Sequence, residues 1–283
     1  MMESLKIDIY IIAEVGINHN GNMDDVFKLI DIAKVSGCNA VKFQKRTIDI
    51  VYTKEFLDSA RESPWGKTQR DQKEGLELKE EDYISIDNYC NKIGIDWFAS
   101  AWDIPSQKFL RKFDCKFNKV ASAMATHIPF LMEVASEKKP TFLSTGMCEM
   151  SQIDEAVEIF SSYDCPLTLM HTVSTYPSNE SDLNLNMINT LKKRYELPVG
   201  YSGHEVSLSP TLIAAMLGIS CIERHITLGR HLYGSDQSAS VENEALKRLV
   251  NMIRKIPLVL GDGIKKITEE EKIVAKKLRY FEN

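Results

Sequence analysis

Along the chain, short apolar-rich runs take turns with longer segments whose apolar positions recur every three or four residues. The short runs, at 8–17, 40–45, 96–103, 117–124, 141–147, 167–177, 198–205 and 221–228, predict eight strands. The segments between and after them predict eight helices: MDDVFKLIDIAKVSG, EDYISIDNYCNKIG, PSQKFLRKFD, PFLMEVASEKK, SQIDEAVEIFSSYD, LNMINTLKKRY, SPTLIAAMLG and ENEALKRLVNMIRKIP. Gly37, Gly94 and Gly218 stand where helices should stop. Ser151, with Glu155 in the first turns, marks a start.

Eight strand–helix repeats imply parallel strands joined by right-handed crossovers, hence an α/β chain folded as a single-domain (β/α)8 TIM barrel. An open doubly wound sheet is the alternative, but no GxGxxG or GxxxxGK[ST] follows any predicted strand. The barrel is expected to occupy 1–283, with a long charged loop at 46–82 and a helical tail at 262–283.

Composition narrows the possibilities. With 43% hydrophobic and 27% charged residues the chain is ordinarily globular, and a net charge of -5 argues against general nucleic-acid binding. No apolar run approaches the roughly 18 residues of a membrane span, and the N-terminal stretch MMESLKIDIYIIAEVG has no cleavable leader pattern. Six cysteines without CxxC spacing suggest reduced thiols in a cytoplasmic protein. An anionic ligand would therefore need local cations, and such a cluster exists at Lys42, Lys45, Arg46, Lys67, Arg70 and Lys73.

Polar residues gather where the predicted strands end, the side on which a barrel carries its active site. They include Glu14, Lys42 and Gln44, Lys119 and Ser122, Ser144, His171 with Ser174 and Tyr176, Ser202 with His204, and Glu223 with His225. Buried parallel strands otherwise read as Val, Ile and Leu. The pairs Lys42/Gln44, Ser202/His204 and Glu223/His225 are two apart, so each shares a face. Each imidazole alone also reads as a hydrogen-bonded core residue; together, on adjacent strand ends, His204 and His225 favour a divalent metal. His19, His127, His171 and His231 are weaker candidates. Lys42 and Lys119, with Ser100, Ser122, Ser144 and Ser202, would make a phosphate and carboxylate pocket; salt bridges to Glu14 or Glu223, or a Schiff-base lysine, explain the same residues. Trp65, Trp97 and Trp102 read as packing. The basic group Lys67, Arg70 and Lys73 reads as a solvated loop or as a site for an acceptor phosphate.

Taken in order, IIAEVGINHNG, AVKFQK, KVASAM, FLSTGM, STYP, VGYSGHE, IERHITL and GSDQSAS resemble the sialic acid (N-acetylneuraminate) synthase family from about residue 10 to residue 260. The stretch from FQKR to SPWGKTQRDQK resembles its animal branch, whose acceptor is 6-phosphorylated N-acetylmannosamine. The resemblance implies a barrel that condenses phosphoenolpyruvate with a sugar aldehyde, giving a nonulosonic acid and phosphate. It places Mn2+ or Mg2+ on His204 and His225, and phosphoenolpyruvate on Lys42, Ser100, Lys119, Ser122, Ser144 and Ser202. Glu14 falls at the reacting centre, and Gln44, Ser174, Tyr176 and Asp236 near the acceptor. Ser174 stands where some relatives have Asn, and Gly203 where others have Asp, so no acid or metal role attaches to Gly203. The resemblance further implies a homodimer. Many members add a C-terminal antifreeze-like domain that this sequence does not contain, which points to a separate polypeptide or to a different acceptor. Related 3-deoxy-keto-acid synthases with another aldose acceptor are the alternative. A metal-dependent hydrolase, a lysine aldolase and a non-catalytic sugar-binding barrel are further rivals.

Overall fold

The computed structural model describes residues 8–282, so the expectation of no leader rests partly on residues 1–7, which lie outside the described residues. Eight parallel strands close on themselves: β1 (Tyr10–Gly16), β2 (Ala40–Lys45), β3 (Asp96–Ala101), β4 (Asn118–Val120), β5 (Thr141–Ser144), β6 (Leu167–Thr172), β7 (Val199–Gly203) and β8 (Cys221–Thr227). They pair in sequence order, and β8 returns to β1. Helices Met23–Ser36, Glu80–Ile93, Ile104–Leu110, Ile128–Ala135, Met150–Ser162, Met187–Tyr195, Ser209–Met216 and Asn243–Leu260 each follow one strand. This is the predicted (β/α)8 barrel.

Local chemistry sets the helix ends. The Asn22 side chain accepts from the Asp24 amide at the start of the first helix, and Gly37 closes it in the left-handed region, φ 87°, donating to the Ala33 and Lys34 carbonyls. The helix predicted to begin at Ser151 starts at Met150, with its cap two residues before the serine. Glu149 and Gln152 satisfy each other's backbone amides in a capping box, which outcompetes the serine.

Most predicted strands overrun the observed ones, and 198–205 stops at Gly203, just before His204; three are markedly too long. Strand β4 stops at Val120, and Ser122 sits in the 3-10 turn Ser122–Met124. Strand β5 ends at Ser144, short of Thr145, and β6 ends at Thr172, leaving Ser174 and Tyr176 in a loop. The excursion 46–82 is not a plain loop. It carries helices Ile48–Val51, Lys54–Asp58 and Gln69–Leu76, an antiparallel hairpin (Ala60–Ser63 with Gly66–Thr68), and a Thr68/Asp71 capping box. The expected tail contains the helix Glu269–Leu278, whose Ile273, Val274 and Leu278 are exposed.

The floor of the lumen is apolar. Tyr10, Phe98, Phe117 and Phe142 interlock there, the Phe117 and Phe142 rings 4.9 Å apart and the Tyr10 and Phe117 rings 5.2 Å apart. Stacked aromatic burial of this kind closes the bottom and stabilises the barrel. Among the described residues no helix is long and apolar enough to cross a membrane, and all six cysteines are free.

Candidate active site

Strand register brings the polar residues to one level at the other end of the lumen. Glu14 on β1 lies beside Lys42 on β2 and His225 on β8. Gln44 lies beside Ser100, Ser100 beside Lys119, and Ser202 beside both Glu223 and Thr172. Because side chains alternate along a strand, these point inward, Ser100 and Lys119 two residues above Phe98 and Phe117 of the apolar floor. Gly16 keeps the first strand tip slim: its φ is +54°, and a Cβ there would sit 3.2 Å from Gln44 and Glu14 and 3.3 Å from His225.

These side chains line a cavity of about 140 Å³. Every residue implicated from the sequence lines it except Asp236, which stands at its edge with Oδ2 3.8 Å from His225 Nδ1. Trp102, Met147, Ala121 and Ala123 also line it, and were not anticipated. Trp102 is not mere packing, since the Arg46 guanidinium stacks 4.1 Å from its ring centroid. Trp97 and Trp65 are packing residues, against Phe113 and Tyr233 respectively. The weaker histidines stay outside. His171 bonds the Leu183 carbonyl, His19 accepts from the Gly21 amide, His127 caps a helix and His231 packs at Gly229. Of the loop cations, Arg70 is committed to Asp49 and Glu74, and Lys67 is exposed.

Two lysines and two glutamates share the cavity floor, all at most 4% exposed. Lys42 Nζ is 2.8 Å from Glu14 Oε2 and 3.8 Å from Glu223, and Lys119 Nζ is 3.5 Å from Glu223. Lys119 also donates to the Ser144 hydroxyl. The salt-bridge reading of the lysines is therefore right about their partners, yet both ammonium groups still face the cavity.

The two carboxyls are driven apart. Burial raises Glu14 to about 7, a rise that Lys42 opposes and the neighbouring Glu223 charge reinforces. Burial also penalises Glu223, but the fields of Lys119 and Lys42, with the Ser202 hydroxyl donating at 3.1 Å, hold it well below the usual carboxylate range. Burial lowers Lys119, and the Glu223 charge offsets part of this. For Lys42 the Glu14 and Glu223 charges outweigh burial and raise it.

His204 and His225 stand with ring centroids 5.4 Å apart, and Tyr176 packs 4.2 Å from the first. Burial keeps both imidazoles neutral, lowering His204 to about 4 with the help of its neighbour His225. His204 Nδ1 meets the Val173 carbonyl at 2.8 Å; a carbonyl only accepts, so the proton sits there and Nε2 keeps its lone pair. His225 Nδ1 is buried without a hydrogen-bonding partner. Two neutral imidazoles, one correctly oriented and one with an orphaned nitrogen, suit a first-row divalent ion. Among the described residues no three His, Cys, Asp or Glu side chains converge as a ready chelate, so the remaining positions would fall to water or substrate oxygens.

A buried clamp locks the two histidine-bearing strand ends together. Arg224 points away from the lumen and donates to Glu205 Oε1 at 3.0 Å and to Thr211 at 2.7 Å, while Tyr201 donates to Glu205 Oε2 at 2.8 Å. Both charges are almost completely buried, so losing one would strand the other.

The NeuB family profile matches residues 29–265. An N,N'-diacetyllegionaminic acid synthase of Legionella pneumophila is 36% identical over 93% of this chain and 76% of its own length. An N-acetylneuraminate-9-phosphate synthase of Drosophila melanogaster is 35% identical over 94% and 74%. Among solved structures, an N-acetylneuraminic acid synthetase of Leptospira borgpetersenii, determined with citrate, superposes with a TM-score of 0.82 at 31% identity, covering 96% of this chain and 93% of that one. The family match over most of the chain, the shared fold and this extent of shared sequence place the chain in the NeuB family.

Proposed function

We propose that this protein joins phosphoenolpyruvate to an N-acylated aldose, with or without a phosphate, releasing inorganic phosphate and forming a nonulosonic acid. The observation that carries the reading is the pair of buried ammonium groups, Lys42 and Lys119, facing two neutral imidazoles across one small cavity. Relatives named as legionaminic and neuraminate synthases support the product class.

Lys42 and Lys119 hold the carboxylate and phosphate, with Ser100, Ser122, Ser144 and Ser202 donating around them. The ionic group on the floor is already neutral, two plus two, so an arriving polyanion favours a protonated Glu14; its raised pKa matches that demand. C3 of the enol ester forms a bond to the aldehyde carbon, and the aldehyde oxygen ends as a hydroxyl. Water adds to C2, the bond between C2 and the phosphate-bearing oxygen breaks, and phosphate leaves behind a ketone whose oxygen came from the water. Glu14 carries the proton exchanged with that water, while Gln44 and Tyr176 orient the acceptor. His204 and His225 would hold a divalent Mn2+ or Mg2+ ion, which supplies Lewis-acid polarisation of the aldehyde.

Phosphate release from phosphoenolpyruvate, followed against a panel of free and 6-phosphorylated aldoses, tests the reading. One or more N-acylated aldoses should trigger release, and His204→Ala should lower kcat by about a hundredfold or more. Release from no aldose, or a His204→Ala protein with metal-dependent turnover within a few-fold of the parent, overturns it.

A further inference from the structure

The ladder between the two histidine-bearing strands stops too early to hold the histidines themselves. Its register pairs are Ile222 with Tyr201, Glu223 with Ser202 and Arg224 with Gly203, so it ends one residue before His204 and His225. His225 is still paired with Glu14 on β1, and His204 is held from the β6 side through the Val173 carbonyl and the Ser178 amide. The step from His204 across to His225 is bridged instead by side chains.

Arg224 makes the bridge. Besides the Glu205 carboxylate and Thr211, its guanidinium donates to the Glu205 carbonyl at 2.5 Å and to the Ser207 carbonyl at 3.1 Å, gripping the chain immediately after His204. Thr211 in turn donates to Glu205 Oε1 at 3.1 Å, so Tyr201 occupies one carboxylate oxygen, and Arg224 and Thr211 the other. Gly203 makes room for this carboxylate. A Cβ there would lie 2.7 and 2.9 Å from its two oxygens and 2.8 Å from Tyr201 Cε1, and the three donors hold the carboxylate in that place.

Tyr201, Glu205, Thr211 and Arg224 are each at most 1% exposed and none lines the cavity, so the network does not touch a substrate. Stability is not a sufficient reason for it either. A buried ion pair gains little over a well-packed apolar pair, because desolvating two charges offsets most of their attraction. Directed, charge-assisted hydrogen bonds supply fixed geometry, which apolar contacts do not. The geometry fixed here is that of the two imidazoles. Glu205 and Arg224 are each the chain neighbour of one histidine, and His225 Nδ1, without a hydrogen bond of its own, leaves that ring dependent on its backbone.

We propose that Glu205 and Arg224 are positioning residues that hold His204 and His225 at the separation a divalent cation requires. The inference rests on the metal-holding role proposed above for these histidines and is independent of the condensation step.

The test is Mn2+ binding to the full chain, followed through the electron paramagnetic resonance signal of the free ion, with no phosphoenolpyruvate or sugar present. The parent should bind Mn2+, and His204→Ala should weaken that binding, which identifies the site. Glu205→Gln removes one member of the pair; Glu205→Leu combined with Arg224→Met removes both, so the net charge beside the site is unchanged. Each should raise the Kd for Mn2+ by about tenfold to a hundredfold, the usual cost of disturbing groups that orient metal ligands. Kd is read at a temperature where circular dichroism shows the protein folded. Should neither charge variant fold, Tyr201→Phe, which removes a single donor to the carboxylate, is read in the same way. Phe142→Ala in the aromatic floor should leave Kd within about twofold, which separates positioning from general destabilisation. A double variant that binds Mn2+ as tightly as the parent, or a Phe142→Ala protein weakened as much as the clamp variants, overturns the proposal. If the parent binds no Mn2+, or His204→Ala binds it unchanged, the metal reading falls and the proposal with it. If Mn2+ binds as described but no aldose triggers phosphate release, the clamp stands and the condensation reading alone falls.

Discussion

The two ends of the barrel lumen are built by the same strands and differ in almost everything else. At the floor, Tyr10, Phe98, Phe117 and Phe142 fill space ring against ring. One or two inward positions further along those strands stand Glu14, Ser100, Lys119 and Ser144, charged or hydroxylated and equally buried. Burial stabilises the first set and penalises the second. The floor can therefore be explained as structure alone, whereas the mouth makes physical sense only as a place prepared for a charged ligand. Cutting into the floor should cost stability and leave chemistry intact; cutting into the mouth should do the reverse.

Phe142→Ala opens a hole in the aromatic floor and should destabilise the protein by about 3–5 kcal/mol in denaturant unfolding. The surviving folded protein should bind phosphoenolpyruvate with unchanged affinity. Glu14→Gln in the mouth sharpens the contrast through pH. The folded protein holds this proton more tightly than the unfolded chain, since burial moves the carboxyl from 4.5 to about 7. Its contribution is therefore complete below pH 4.5 and is lost as pH rises through about 7. Metal-free parent protein should lose stability relative to Glu14→Gln over that window, on the order of 3 kcal/mol, seen as diverging urea midpoints. Parallel pH profiles would remove Glu14 from the account. Away from both ends, Arg70→Ala breaks exposed pairs with Asp49 and Glu74 and should change stability by about 1 kcal/mol or less. Its KM for phosphoenolpyruvate should match the parent's.

Much of this was legible in the residues because two periods are hard to confuse. The alternation of Lys42/Gln44, Ser202/His204 and Glu223/His225 locates the inward face without any structure, and eight strand–helix repeats leave few topologies. Strand ends were less legible. After Val120 the chain leaves the ladder, and the Met124 and Ala125 amides bond back to the Ala121 and Ser122 carbonyls, so Ser122 reaches the site from a 3-10 turn. Trp102 reads as packing in the sequence because large aromatics are usually core, and only the three-dimensional approach of Arg46 gives its ring another partner. The order within 46–82 had a readable signal in Thr68 and Asp71, three residues apart as a capping box requires, which high local charge obscured. Which loop cations find carboxylates depends on tertiary distance, and sequence separation does not report it. Lys73, i+3 from Arg70, turns inward while Arg70 pairs at the surface.

The most direct measurement is a crystal structure of the protein soaked with phosphoenolpyruvate and Mn2+, read with anomalous scattering. The account requires a manganese peak between His204 and His225, with the carboxylate and phosphate of the enol ester on Lys42 and Lys119. An empty cavity at saturating ligand, or an enol ester bound away from both lysines, would contradict it.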